Sequence, residues 1–291
     1  MTSPSDRTGN IYDLGYRRYE GQRLGRGHAI RALYYEGLRT CFGLGRRPLA
    51  KIAPWALAIV ALAPAVAQLA IAAIAPGDFE LISVADQFTY TNVIIVLFVA
   101  VVAPELTGRD QRHRTLSLYF SRALLRDDYA FARIASLVTA TLSVSLLPAL
   151  VLFIGNCLDD SSPASYAREN WDQLPRLVAA GFLIAVVFGA VAVAISSHTF
   201  RRTFAMGGVV APIFILAPLA VGLADTAGGY FLLLSPIEVL RGATLWIFGN
   251  DPGSEPLGMH PIPGLTLLLV AIAIACVATA VTLRRYRTVA A

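Results

Sequence analysis

Six long apolar stretches, free of Asp, Glu, Lys and Arg when read between their ends, decide what this chain can fold into. They run over roughly 52–75, 88–106, 134–156, 177–197, 203–224 and 264–283. A helix crosses a hydrocarbon core of about 30 Å with about 20 apolar residues. Each stretch is too long for a strand and lacks the alternation of a barrel strand. A helix also satisfies its own backbone hydrogen bonds, which lipid cannot do. Hydrophobic residues make up 56% of the 291 residues and charged residues 15%, with a mean hydropathy of +0.61. A soluble domain carries about 25% charged residues. That balance excludes a soluble enzyme and a free nucleic-acid-binding domain. The chain reads as an all-α integral membrane protein with six transmembrane helices. The first span follows 51 mostly polar residues, so no signal peptide is expected and nothing is expected to be cleaved.

A seventh candidate, Phe231 to Gly249, carries Glu238 and Arg241 near its centre and is interrupted by Pro236. Two charges at mid-bilayer cost several kcal/mol, ~2.5–3.5 each on the insertion scale. The segment 229–250 is therefore expected to form short helices that dip into the outer leaflet, re-entrant in character, before the last span.

The charges then orient the chain. Of the 24 basic residues only Lys51 is a lysine. Twenty-one of them fall in the N-terminal segment, the 107–133 connection, the Arg201–Arg202 turn and the tail; only Arg168, Arg176 and Arg241 fall on the other side. The positive-inside rule places both termini in the cytoplasm. Eleven acidic residues, among them Asp78, Asp159 and Asp225, lean outward. Residues 1–51 form a cytoplasmic segment and 52–291 a six-span domain. The basic excess points to the inner leaflet rather than to nucleic acid. The heavy use of Ala and Arg fits a GC-rich bacterial genome, so the expected location is a bacterial plasma membrane.

Much chemistry is excluded. A Walker A loop needs Lys followed by Ser or Thr, and the lone Lys51 is followed by Ile52. Gly43-Leu44-Gly45 follows no strand and reads as a flexible loop. His28, His113, His198 and His260 share no helix face at i, i+4, and no Cys or acidic partner completes a metal set. Cys41, Cys157 and Cys276 are scattered, and no internal disulfide is expected. Ser254 lacks the flanking strand and helix of a nucleophile elbow. Ion-coupled carriers keep an acidic residue in the bilayer, and these spans have none. No catalytic residue, cofactor or metal is expected in this chain. An intramembrane enzyme or ion-coupled carrier is disfavoured, and what remains is a translocator driven from elsewhere or an apolar anchor.

Two cytoplasmic stretches carry pattern. From His28 to Leu44, Ile30, Leu33, Tyr34, Gly37, Cys41 and Leu44 share a face at helical spacing, with Arg31, Glu36 and Arg39 opposite. This predicts an amphipathic helix lying in the inner interface, its arginines near anionic headgroups; packing on cytoplasmic protein is the alternative. The second stretch runs from Pro104 to Arg122 and on through Asp127-Asp128-Tyr129 to Arg133. It is longer than a two-helix turn requires. It mixes Arg109, Asp110, Arg112, Arg114 and Arg122 with Leu116, Leu118, Tyr119 and Phe120. A solvated loop has no need of those apolar residues; a short helix docking into a partner's groove does.

This layout resembles the membrane subunits of type 2 ATP-binding-cassette (ABC) exporters, six-span permeases with an amphipathic helix before span one. The resemblance rests on Glu105 closing span two, on Arg114-Thr115-Leu116, on Ser121-Arg122, and on Tyr129 and Arg133 leading into span three. Leu234-Ser235-Pro236 is similar to the family's short outer helices. Tyr12-Asp13-Leu14-Gly15-Tyr16-Arg17-Arg18-Tyr19-Glu20-Gly21 is similar to the start of one bacterial subgroup. The chain departs in having Ala123 where proline is common, Arg133 where lysine is common, and Arg114 where glycine usually precedes the Thr. The resemblance implies a permease that exports an amphiphilic or hydrophobic substrate. It implies a second permease chain and a separate ABC ATPase that binds ATP and Mg. Glu105 would tie the loop to span two, Arg109, Arg112 and Arg114 would face the ATPase, and Leu116, Tyr119 and Phe120 would fill its groove. Motion would pass from the loop to spans one, two and five. A non-transport assembly or anchoring factor is the alternative.

Overall fold

The computed structural model describes residues 21, 24–46, 48–74, 83–112, 115–121, 124–159, 162–199, 201–250 and 256–288. Among these every regular element is helical. In chain order they are α1 (Arg26–Cys41), α2 (Leu49–Ile74), α3 (Val84–Leu106), α4 (Gly108–Arg112), α5 (Leu116–Phe120), α6 (Arg126–Asp159), α7 (Pro163–Glu169), α8 (Gln173–Ser197), α9 (Arg202–Ala227), a 3-10 turn (Gly229–Leu234), α10 (Pro236–Phe248), α11 (Pro256–Met259) and α12 (Gly264–Thr288). Six of them, α2, α3, α6, α8, α9 and α12, are long and apolar enough to cross a membrane. They coincide with the six expected stretches, and the protein is a multi-pass membrane protein.

Local chemistry explains where the helices start and stop. Ser83 caps α3: its Oγ accepts the Asp86 amide at 3.1 Å and donates to Asp86 Oδ2 at 2.7 Å. Gly43 and Gly45 take positive φ of 66° and 80° and turn the chain from α1 into α2. A Cβ on Gly43 would sit 2.7 Å from the Ala50 carbonyl oxygen, so the segment read as a flexible loop is a tight turn that only glycine fits. The span helices tolerate internal prolines such as Pro64, Pro148 and Pro218, because neighbouring helices and local adjustment re-satisfy the freed carbonyls.

α3, α6 and α8 form the centre of the bundle, with α3 and α8 burying most of their surface; α2, α9 and α12 leave most of theirs outward. Small residues allow close approach within the centre. Gly181 lies under Leu146, and a Cβ on Gly189 would stand 3.0 Å from Val138 Cγ2. The outward faces of α2 and α9 show Ile59, Val60, Val66, Phe214, Ile215 and Leu219. Such broad apolar faces suit lipid or another apolar chain.

The bundle has two chemically distinct ends. At the basic end lie α1, α4, α5, the start of α6, the turn into α9 and the end of α12, joined by pairs such as Arg26–Asp128 and Arg287–Asp127. At the opposite end the 3-10 turn and α10 occupy the segment expected to form short helices. Ser235 caps α10 by accepting the Glu238 amide at 3.3 Å, and Gly249 ends it with φ 77°. α10 is packed among α3, α8 and α12 rather than lying at the surface. Its two charges meet each other, Arg241 Nη1 standing 3.4 Å from Glu238 Oε2.

Candidate functional site

The connection between α3 and α6 folds back onto its own bundle. α3 ends at Leu106, Thr107 turns the chain, and α4 begins at once. The Thr107 hydroxyl lies 2.8 Å from Ser196 Oγ, and Gln111 Nε2 donates to the Ser197 carbonyl at 2.9 Å. These contacts fasten α4 to the end of α8. Thr115 then stops α4, its amide and hydroxyl both reaching the Asp110 carbonyl at 3.0 and 3.2 Å.

At the centre of this end lies a buried charged cluster. Arg133, about two turns into α6, is 1% exposed. Its Nη2 donates to Asp110 Oδ2 at 2.5 Å and its Nη1 to Glu36 Oε2 at 2.6 Å. The Tyr129 hydroxyl donates to the same Asp110 oxygen at 2.6 Å. One guanidinium therefore joins three elements: α1 through Glu36, α4 through Asp110 and α6 through itself. A planar fork suits that bridging role, which a single ammonium fills less well. Burial alone would raise the Glu36 carboxyl; the field and hydrogen bond of Arg133 outweigh it and leave it below the ordinary carboxylate range.

An aromatic box closes over the cluster. Tyr129 meets Tyr286 of α12 edge-on at 5.0 Å, Tyr119 at 5.8 Å and Phe120 at 6.0 Å, and the Arg133 guanidinium stands 5.2 Å from its ring centre. Leu33 and Leu116 are buried in the same group, with Ile30 packed against it. The apolar residues expected to fill a partner's groove thus have partners at home. Leu116 is buried, and Tyr119 and Phe120 are half-buried against Tyr129. Leu118 is the apolar residue of α5 that points away, 66% exposed. Asp110, grouped with the surface arginines on sequence grounds, is an interior acid.

The remaining expected residues fall into two sets. Glu105 is clamped by two arginines from distant segments, Arg46 Nη1 and Arg202 Nη1, each at 2.8 Å from one of its oxygens. Arg109 and Arg112 are exposed, as are Arg31 and Arg39 on α1. Arg114 and Arg122 lie outside the described residues, as does the Tyr12–Glu20 pattern. α1 is amphipathic as expected, but its apolar face rests on α6 and α3 instead of lipid. The Tyr34 hydroxyl donates to Thr139 Oγ1 at 3.0 Å, Gly37 abuts Ser136, and Cys41 is fully buried. Leu44, placed on that face by its spacing, lies beyond the helix end and is exposed.

Sequence reasoning missed the pairing of Glu36 with Arg133 and the double clamp on Glu105. The signal for the first was available: an arginine seven residues inside a span helix needs a carboxylate nearby. Comparison of the chain with models of known protein families gives no match, and comparison with curated proteins gives none either.

Proposed function

We propose that this chain is the transmembrane permease subunit of an ABC exporter, driven by a separate ATPase and carrying an amphiphilic or hydrophobic substrate. One observation supports this above others. The α4–α5 segment reads as an exposed-tipped lever, tied to α1 and α6 through Arg133, to α8 through Gln111 and Thr107, and to α12 through the cluster in which Leu116 and Tyr119 pack with Tyr129 and Tyr286. A push on its tip has four packed routes into the bundle. These run to α1, span three, span four and span six, a different set from the spans one, two and five that the resemblance implies. The basic end would face the cytoplasm by the positive-inside rule, in a bacterial plasma membrane, which puts the lever on the side where ATP is available. The uncovered stretches of α2 and α9 away from the basic end, around Val60 and Val66 and around Ile215 and Leu219, are where a second permease chain would pack.

In this reading the docking residue is Leu118, with Ser117 beside it, while Leu116, Tyr119 and Phe120 hold the lever's base. The test is co-expression with any ABC ATPase that the neighbouring reading frames encode. Leu118→Glu, an exposed change that leaves the base intact, should abolish co-purification of the ATPase while the permease stays inserted and monodisperse. Retained ATPase with normal stimulated hydrolysis would refute docking at α5. If the neighbouring frames encode no ATPase with a Walker A lysine, the anchoring reading takes its place.

A further inference from the structure

Beside the Glu105 clamp lies an open cleft of about 720 Å³ between the start of α2 and the end of α3. Its base is strongly basic. Arg46, Arg109, Arg112 and Arg202 line it, against one acid, Glu105. Glu105 is fully engaged by Arg46 and Arg202. Among the described residues no carboxylate lies within ion-pair distance of Arg109 or Arg112, and the buried Nη2 of Arg46 has no hydrogen-bond partner. The cleft thus presents a net of three positive charges with donors to spare.

Its upper wall is different. Leu49, Ala53 and Val102 belong to the span helices α2 and α3, and Leu49, the first residue of α2, is 79% exposed. In a bilayer that opening faces acyl chains at the level where span gives way to interface. A soluble anion has no use for an apolar wall open to lipid, and a neutral lipid has none for four arginines. An amphiphile with a phosphate at its head uses both, since guanidinium forks match phosphate oxygens.

We propose that this cleft binds the phosphate of an anionic phospholipid from the leaflet at the basic end, Arg109 and Arg112 taking the headgroup and the α2–α3 wall the first part of the chains. The proposal requires that the six helices span a bilayer; it does not require that the chain be a transporter. Because Arg109 and Arg112 sit on α4, a bound lipid would also bear on the segment that the Arg133 cluster holds.

Trp55 reports on this site. It follows Pro54 of the cleft wall, and its indole N–H donates to the Phe42 carbonyl at 3.2 Å. The other tryptophans, Trp171 and Trp246, belong to the opposite end, and Trp171→Phe with Trp246→Phe leaves Trp55 as the sole tryptophan, to be excited selectively at the red edge. The full chain is reconstituted in phosphatidylcholine vesicles with rising fractions of acyl-brominated phosphatidylglycerol or, in parallel, acyl-brominated phosphatidylcholine. The anionic quencher should reach half-quenching at about a tenfold lower mole fraction, two unpaired arginines each contributing roughly fivefold at most. Arg109→Gln with Arg112→Gln should erase the preference, and both residues are exposed, so the fold is spared. Arg31→Gln with Arg284→Gln, which removes equal charge at the same end outside the cleft, should leave it. Equal quenching by the two lipids, or a preference that survives the Arg109/Arg112 change, would overturn the proposal. So would loss of the preference on adding inorganic phosphate but not sodium chloride of equal ionic strength, which would assign the site to a soluble phosphate.

Discussion

Replacing Arg133 with Gln should cost more than any other single change at the basic end, and its two carboxylates should share that cost unequally. The Arg133 side chain is 2% exposed; Asp110 is 12% exposed and Glu36 52%. Removing one partner of a buried ion pair costs about 3–5 kcal/mol, because the charge left behind is uncompensated. Asp110 is the charge left behind, and among the described residues the Tyr129 hydroxyl is the side chain that still holds it. Glu36 regains water and contributes about 0.2–1 kcal/mol. Arg133→Gln is therefore expected to lower the apparent melting temperature in detergent by about 6–15 °C, taking a few degrees per kcal/mol for a chain of this size. Glu36→Gln should lower it by no more than about 3 °C. Arg133→Lys keeps the charge but bridges the two acids less well than a planar fork, and should fall between. Arg133→Met with Asp110→Leu should recover most of the loss, since a packed apolar pair can replace a buried ionic one. Cys41 supplies the readout. It is fully buried, and burial pushes its thiol up to about 12, so a thiol-reactive dye reports only on opening. Cys157→Ser and Cys276→Ser remove the other thiols. A drop below about 2 °C for Arg133→Gln, or an equal drop for Glu36→Gln, would refute the weighting by burial.

Two further outcomes follow from the same seam. The contribution of Glu36, read as the melting-temperature difference between the parent and Glu36→Gln, should be complete at pH 6. Its folded carboxyl lies below the ordinary range, so the difference should shrink as pH falls through that depressed value and should not grow on acidification. Gly37→Ala places a Cβ against Ser136, 2.8 Å from its Cβ and 3.4 Å from Arg133 Nη1. It should destabilise the α1–α6 seam by about 1–3 kcal/mol, seen as faster dye labelling of Cys41, and Ser136→Gly should restore much of the loss; additive effects of the two changes would show that the contact does not limit the seam.

The six spans were legible because the information is local. An apolar run of about 20 residues declares itself without reference to the rest of the chain. The ends were less legible: the third stretch, read as 134–156, is a helix from Arg126 to Asp159. Its first turns carry Asp127, Asp128 and Arg133, which look like loop until Arg26, Arg287 and Glu36 are brought opposite them. Those partners lie up to 160 residues away, and no local pattern encodes such a pairing. Leu116 and Tyr119 mark the deeper limit. Sequence reasoning held that a solvated loop has no need of such apolar residues and assigned them to a partner's groove, whereas Leu116, Tyr119 and Phe120 pack within the chain. Whether the cover is the chain's own Tyr129 and Leu33 or a partner's groove is not written in the residues, because burial of apolar surface is non-directional. Charge is the more directional signal. Asp110 sits between Arg109 and Arg112, which have no carboxylate in reach among the described residues, yet it turns inward to Arg133. An acid withdrawn from a basic segment leaves that segment more basic at its surface, and on that surface the phosphate-binding cleft depends.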